Sequence, residues 1–224
     1  MIHLEQNIRG LCAKHGLHYQ DFLADLEVDG VNELTLYDLE AIAEEYALDL
    51  MGLVFKPLFH EENLANKLKN IKLLILDVDG VMTDGGMYWT ESGDQMKKFN
   101  TKDGLGIMGL TKKGFHVGII SSGFTKTIVQ KRSETLGISH CYVGTEPKIA
   151  VLQTWCQELQ VAMHEVALIG DDINDLGVMN QVGIAACPAD AVNEVKSVCS
   201  IILSRRGGEG CIREFIDGYL NHYC

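Results

Sequence analysis

Four short segments carry residue types that could do chemistry together. The first is Ile71-Lys-Leu-Leu-Ile-Leu-Asp77-Val-Asp79-Gly80, an apolar run that stops abruptly at two carboxylates and a glycine. In open α/β sheets, ligands lie beyond the carboxyl ends of the strands, so this run places Asp77 and Asp79 where a ligand would sit. Two ionised carboxylates so close repel each other. A divalent cation relieves that repulsion, and Mg²⁺ suits a few carboxylates supplemented by water and phosphate oxygens. Gly80 permits the sharp exit from the strand. The second acidic segment, Ala167-Leu-Ile-Gly170-Asp171-Asp172-Ile-Asn174-Asp175, also follows an apolar run. Asp and Gly are ordinary turn residues. Their appearance at two strand ends favours a shared metal centre over two unrelated turns.

The other two segments suit an anion. Gly118-Ile-Ile-Ser121-Ser122-Gly123 ends a third apolar run with hydroxyls, just before a helix expected to begin at about Thr125. A helix start with free N–H groups favours negative charge. In Gly144-Thr-Glu-Pro147-Lys148, Pro147 stands at a helix-opening position and Lys148 can neutralise phosphate charge. Taken singly, Ser121 and Ser122 read more readily as helix caps and Lys148 as a solvated lysine; the order of these segments along the chain is what favours the anion reading.

Elements to position these residues follow from periodicity. Short apolar runs at 72–77, 116–120, 141–144, 166–170, 183–186 and 200–203 predict strands buried on both faces. Helical patterns at 105–113, 125–136, 149–159, 175–180, 192–198 and 211–220 lie between them. Strand and helix in alternation predict an α/β fold with a doubly wound parallel sheet. Met87-Tyr-Trp-Thr and Met96-Lys-Lys-Phe flank the turn residues Glu91-Ser-Gly-Asp, which predicts a β-hairpin inserted after the first strand. Residues 1–60 differ: Leu4, Ile8, Leu11, Phe22, Leu26, Leu39, Ile42 and Tyr46 repeat at helical spacing, with Thr35 as an N-cap. The expected organisation is a small all-α unit over 1–60, a linker or connecting helix over 61–70, and the α/β domain over 71–224.

Bulk properties narrow the function classes. The 224 residues are 46% hydrophobic and 22% charged, ordinary for a soluble globular protein. The formal net charge of −12 disfavours nucleic-acid binding. The seven cysteines are scattered without CxxC spacing, which supports neither a disulfide framework nor a zinc site and suggests reduced thiols in a cytoplasmic protein. No signal peptide and no membrane span is expected from the apolar runs.

The order Asp77-x-Asp79-Gly, Ser121, Lys148, Gly170-Asp171-Asp172 resembles the four signature motifs of the haloacid dehalogenase (HAD) superfamily. Asp77-Val-Asp-Gly-Val-Met-Thr-Asp-Gly-Gly, Lys98-Phe-Asn-Thr-Lys-Asp-Gly-Leu-Gly-Ile and Arg205-Arg-Gly-Gly-Glu-Gly-Cys-Ile-Arg-Glu-Phe215 are similar to one capless branch. That branch holds the 3-deoxy-D-manno-octulosonate 8-phosphate phosphatases, the nononate 9-phosphate phosphatases and the C-terminal domain of animal acylneuraminate cytidylyltransferases. The resemblance implies an HAD-like Rossmannoid fold and a phosphatase acting on a small sugar phosphate. It implies Asp77 as nucleophile, Asp79 as general acid and base, and Ser121 and Lys148 as holders of the phosphoryl group. Mg²⁺ would be bound by the Asp77 side chain, the Asp79 backbone carbonyl and Asp171, with Asp172 and Asp175 orienting Lys148 or metal-bound water. It further implies a homotetramer in which the hairpin builds the interface and the C-terminal tail reaches a neighbour's site. Arg205, Arg206 and Glu209 would then shape the substrate pocket, with Lys102, Ser122 and Gly123 also near the sugar.

One departure bears on the substrate. Octulosonate phosphatases of this branch read Thr-Gly-Arg after the third apolar run, and nononate phosphatases Thr-Gly-Glu, whereas this chain reads Ser121-Ser122-Gly123. The tail leans toward nononate or sialic acid chemistry, and Pro188-Ala-Asp-Ala-Val-Asn-Glu-Val-Lys toward octulosonate.

Residues 5–55 weakly resemble a Cro-type helix-turn-helix, through Gly16-Leu-His-Tyr-Gln-Asp-Phe-Leu and Leu34-Thr-Leu-Tyr-Asp-Leu-Glu-Ala-Ile-Ala. The recognition helix would fall at 27–34, where Glu27, Asp29 and Glu33 suit phosphates poorly. A helical appendage for packing, assembly or partner contact is the preferred expectation. Two alternatives to an enzyme stand beside it: a non-catalytic assembly module of sialic acid metabolism, and a DNA-binding regulator with a ligand-sensing HAD domain. Retention of Asp77, Asp79, Lys148 and Asp171 argues against loss of chemistry.

Overall fold

The computed structural model of the chain describes all residues except 1, 16, 57, 59, 94, 124, 125 and 221–224. Thr125 as a helix start, Gly16 in the helix-turn-helix pattern, Asp94 in the hairpin turn and the thiol of Cys224 therefore lie outside the described residues. The chain divides into two compact units, Met1–Asn66 and Lys67–Cys224.

The first unit is helical: α1 (Ile2–His15), α2 (Tyr19–Asp25), α3 (Leu36–Glu45), α4 (Leu50–Phe55) and the start of α5 (His60–Lys69). Leu4, Ile8, Leu11, Leu23, Leu39, Ile42 and Leu53 are buried in one cluster, so the helical spacing of the sequence becomes a core. Thr35 caps α3 in a reciprocal box with Asp38. The buried Asn7 amide donates to the carbonyls of Leu53 (2.7 Å) and Lys56 (2.6 Å) and accepts from the Leu58 N–H (2.8 Å), satisfying chain that leaves α4. Residues 27–34 form no recognition helix. Glu27 is left-handed (φ 57°), Gly30 is extended, and only a single 3₁₀ turn, Val31–Glu33, follows. A glycine inside the expected helix and short acidic residues that bond locally account for the difference: the Asp29 N–H donates to the Glu33 carboxylate at 2.9 Å. Segment 61–70, expected as linker or connecting helix, is helical through α5.

The second unit holds β1 (Leu73–Leu76), the hairpin strands β2 (Tyr88–Trp89) and β3 (Gln95–Met96), α6 (Thr101–Lys112), β4 (His116–Ser121), α7 (Lys126–Leu136), β5 (His140–Val143) and α8 (Lys148–Leu159). It continues with β6 (Val166–Ile169), α9 (Leu176–Met179), β7 (Ile184–Cys187), α10 (Asn193–Val198), β8 (Ile201–Ile202) and α11 (Cys211–Phe215). Six strands form one parallel sheet in the order β5-β4-β1-β6-β7-β8, and β2 and β3 pair antiparallel as the inserted hairpin. All four residues of β1, and likewise of β6 and β7, are buried, as parallel strands covered on both faces require.

Register carries the site. Leu76 pairs with Ile119 of β4 and Ile169 of β6, so the first residues beyond these strands emerge side by side. Asp77 follows β1, Ser121 ends β4, and Gly170-Asp171 follows β6. The strand order turns around β1, and that is where α/β sheets open a crevice. Helix α6 begins four residues before the expected 105, because Asn100 accepts the Lys102 N–H (2.8 Å) and caps a first turn whose polar residues hide its periodicity. The expected helix at 175–180 is a 3₁₀ turn, Ile173–Asp175, running into the short α9.

Candidate active site

The chain leaves β1 through Asp77 and turns sharply. Asp79 and Gly80 depart from helical dihedrals, with Gly80 at φ 83°. A Cβ on Gly80 would lie 2.0 Å from Asp171 Oδ2, so both conformation and space demand glycine here. Asp77 Oδ1 accepts the Val78 N–H at 2.7 Å, and Oδ2 faces Lys148 Nζ at 3.0 Å. Lys148, in the first turn of α8, is buried, and its ammonium also meets Asp175 Oδ1 at 2.7 Å. The other Asp175 oxygen accepts the N–H groups of Asp171 (3.1 Å) and Asp172 (3.4 Å). Asp175 can turn back over the end of β6 because residue 170 is glycine: a Cβ there would sit 2.4 Å from its carboxylate. Asp175, expected from the resemblance to orient Lys148 or metal-bound water, is in contact with Lys148 here.

Three carboxylates therefore converge. One oxygen each of Asp77, Asp171 and Asp175 lies within 4.8 Å of the others, a spacing that one cation can bridge. Burial, then repulsion from Asp175, raises the Asp77 carboxyl to about 6 against the pull of Lys148. Burial, then the charges of Asp77, Asp175 and Asp172, raises Asp171 to about 7. Burial opposes the charged form of Lys148, but Asp77 and Asp175 outweigh it and raise its pKa. Among the described residues, Asp171 Oδ1 is buried with no hydrogen-bond partner. An orphaned carboxylate oxygen among raised carboxyls, all hard oxygen donors, fits a divalent cation. Asp175 is engaged with Lys148 and two N–H groups, and Asp77 with Lys148 and the Val78 N–H, so Asp171 offers the one unengaged oxygen of the three among the described residues.

The raised carboxyls set a pH dependence. Their folded pKa values lie above the ordinary carboxylate range, so the stability they contribute is present at low pH and is lost as pH rises through about 6 to 7. A cation must displace the same protons. The metal-free protein is expected to melt several degrees lower at pH 8 than at pH 5.5, and millimolar Mg²⁺ to raise the melting temperature strongly at pH 8 and little at pH 5.5. Scanning calorimetry with and without EDTA measures this, and equal Mg²⁺ shifts at both pH values would contradict it.

Above the carboxylates opens a cleft of about 380 Å³, lined by Asp77, Asp79, Gly80, Gly85, Ser121, Ser122, Gly123, Asp171, Asp172 and Asn174. Ser121 is buried, and its Oγ accepts the Gly123 N–H at 3.1 Å. Asn174 Nδ2 donates to Ser122 Oγ at 3.4 Å across the mouth. Asp172 caps the following turn through the Ile173 N–H (2.7 Å). The Asp79 carboxylate pairs with Lys97, a half-buried lysine just beyond β3, while neighbouring Lys98 pairs with Asp84 at 2.8 Å. The hairpin thus grips the Asp77 loop through two lysines.

Lys97, Gly85 and Asn174 were not singled out from sequence. Asn174 sits inside a recognised motif, a usable signal. Lys97 reads as one lysine of a polar strand and meets Asp79 only through the fold. Conversely, Lys102, Arg205, Arg206 and Glu209 do not line the cleft of this chain. All four are exposed; Arg206 pairs with Asp190 (3.2 Å), and the Arg205 N–H donates to Glu214 (2.9 Å). The tail instead braces the Asp77 loop with backbone. The Gly208 N–H donates to Val81 O (2.9 Å), and a Cβ on Gly207 would lie 1.9 Å from Gly80 O. Asp103, beside Lys102, is buried and accepts the Arg213 N–H at 2.7 Å, holding that tail in place.

Comparison with known proteins identifies the family. Residues 105–183 match the model of haloacid dehalogenase-like hydrolases. The 3-deoxy-D-manno-octulosonate 8-phosphate phosphatase KdsC of Yersinia pestis is 38% identical over 156 residues, covering 70% of this chain and 83% of that protein. The chain belongs to this phosphatase family of HAD-like hydrolases. The crystal structure of a Yersinia pestis member superposes with a TM-score of 0.69 at 37% identity, covering 72% of this chain and 86% of that one. A Moraxella catarrhalis member, solved with a magnesium ion, a phosphate ion and KDO, superposes with a TM-score of 0.68 at 30% identity, covering 73% and 95%. The family fold is thus an α/β sheet with helices on both faces, as expected from the sequence. Among the described residues, no helix is long and apolar enough to cross a membrane.

Proposed function

We propose that this protein is a Mg²⁺-dependent, cytoplasmic phosphomonoester hydrolase that releases phosphate from a 2-keto-3-deoxy sugar acid phosphate, with 3-deoxy-D-manno-octulosonate 8-phosphate as the leading substrate. One observation carries the chemistry: Asp77 stands at the end of β1, held by the buried Lys148, with the orphaned Asp171 carboxylate beside it. The names of the 38%-identical relatives support the substrate.

In this reading an Asp77 carboxylate oxygen attacks phosphorus, the sugar O–P bond breaks, and an acyl phosphate forms on Asp77. Asp79, entering the step as the carboxylic acid with its ion pair to Lys97 opened, gives its proton to the departing sugar oxygen. It then takes a proton from the water that attacks the acyl phosphate, and phosphate leaves with Asp77 restored. Lys148 and Ser121 hold the phosphoryl oxygens. The Asp77 and Asp171 side chains and the Asp79 carbonyl would hold Mg²⁺, which would supply charge compensation for the transferring phosphoryl group. Asp175 keeps Lys148 in position, and Asp172 orients water at the mouth.

Sugar recognition in this reading falls to Ser122, to the space above Gly123, and to residues brought by a neighbouring subunit. Met87, Tyr88, Trp89 and Met96 leave apolar side chains exposed along the hairpin, and their coverage in a homotetramer would bring Lys102, Arg205, Arg206 and Glu209 to a partner's cleft. Light scattering should then read about four times 24.8 kDa.

Phosphate release from octulosonate 8-phosphate, nononate 9-phosphate, N-acetylneuraminate 9-phosphate and simple hexose phosphates, with Mg²⁺ and with EDTA, tests the function. Mg²⁺-dependent turnover restricted to sugar acids is expected, and turnover of hexose phosphates alone would overturn the substrate class. A Cβ on Gly123 would stand 3.2 Å from Ser121 Oγ and 3.4 Å from Asp79 Oδ2, so a side chain there looks into the site. Gly123→Arg is expected to shift kcat/KM toward octulosonate over nononate, and Gly123→Glu to shift it the opposite way, each by roughly tenfold, the scale of one charged contact. Identical specificity in both variants would remove Gly123 from recognition.

A further inference from the structure

The helical unit plays no part in the chemistry above, yet it holds most of the protein's net charge. Residues 1–66 carry thirteen Asp and Glu against three Lys and Arg, a net −10, whereas residues 67–224 carry eighteen against sixteen, a net −2. Carboxylates crowd a small folded unit at a cost in self-repulsion.

This unit also has an unfilled groove. A depression of about 410 Å³ lies between α3 and α4, with Ala43, Ala47, Leu48 and Leu50 in its lining and Glu40 and Glu44 at its edge. Ala47, Glu40 and Glu44 are exposed, and among the described residues neither glutamate forms an ion pair. The apolar surface extends along the same helix. Leu36 is 62% and Tyr37 83% exposed one turn before Glu40, and Met51 on α4 is 61% exposed. Leu36, Glu40 and Ala43 are spaced four and three residues apart and share one face of about two turns of α3, and the left-handed Ala47 (φ 51°) beyond the helix end carries the lining round to Leu48 and Leu50.

We infer that this groove docks the amphipathic helix of a basic partner protein, apolar face inward and lysine or arginine side chains against Glu40 and Glu44. Helix-in-groove recognition needs an apolar channel a few turns long. Charge selects the occupant: a unit of net −10 repels nucleic acid, anionic membrane surfaces and a second copy of itself, and attracts a cationic helix. The proposal is independent of the phosphatase reading.

The probe is a fluorescently labelled, 18-residue helical Leu/Lys peptide, titrated by anisotropy into the full-length protein. A scrambled peptide of the same composition, and hence no apolar face, is the control. Saturable one-to-one binding is expected, at least tenfold tighter than for the scrambled peptide. Glu40→Lys/Glu44→Lys should weaken it at least tenfold. Asp21→Lys/Asp25→Lys, the same charge change on exposed positions of α2, should weaken it less than threefold. Circular dichroism melting confirms that both variants fold, and Leu48→Gln gives a second, charge-neutral test of the groove. Absence of binding, equal affinity for the scrambled peptide, or equal losses in both charge-reversed variants would each overturn the inference.

Discussion

Asp77→Asn is expected to abolish phosphate release, lowering kcat by roughly 10⁴-fold or more, the scale on which removal of a covalent nucleophile acts. The amide keeps the shape of the carboxylate but cannot form the acyl phosphate. The fold should survive, because Lys148 keeps its 2.7 Å contact with Asp175 and the buried cluster loses one of its repelling charges. Melting in EDTA should therefore change by only a few degrees while activity disappears. Single-turnover assays with substrate labelled at phosphorus should show labelled protein in the native enzyme after acid quench and none in the variant. Loss of less than tenfold in kcat, or labelling that persists in the variant, would move the nucleophile elsewhere.

Lys148→Ala is expected to damage stability as well as turnover. The side chain is 4% exposed and is the cation that neutralises Asp77 and Asp175. Removing one partner from a buried ionic group leaves uncompensated charge and costs about 3–5 kcal/mol. For a domain of this size that is a fall in melting temperature of roughly 6–20 °C. The sign with pH is fixed by the carboxyls. Asp77 and Asp171 already titrate above the ordinary carboxylate range, and losing the lysine raises Asp77 further. The variant should recover stability as pH falls below about 6 and lose it as pH rises. Mg²⁺ should restore part of the loss at pH 8 by supplying the missing positive charge, without restoring turnover. Thermal melts at pH 5.5 and 8, with and without Mg²⁺, read all three effects. A drop below 1 kcal/mol at pH 8 with no pH dependence would mean that Lys148 is not the counter-ion of the site.

The sequence alone determined more of this protein than periodicity usually allows, for a physical reason. Parallel strands buried on both faces are written as unbroken apolar runs, so β1, β4, β6 and β7 declare themselves within a residue or two. The chemistry of such a sheet lies just past the strand ends, so Asp77, Asp79, Ser121, Lys148 and Asp171 stood out by position and by residue type together. Thr35 was legible as a cap because capping is local.

Tertiary structure decided what depends on distant partners. Parallel register, which no single strand encodes, brings Asp77 and Asp171 together. Lys148 lost its reading as a solvated lysine only when α8 buried it between Asp77 and Asp175. Lys97 acquired its contact with Asp79 from the way the hairpin folds back on the Asp77 loop. The glycines at 207 and 208, read from sequence as part of a tail bound for a neighbour, are required within this chain because backbone packs on backbone at Gly80 and Thr83. The recognition helix expected at 27–34 failed on local grounds, at a left-handed Glu27 and an extended Gly30. Local chemistry and strand ends are written in the chain, whereas the pairing of buried charges is settled by which elements pack together.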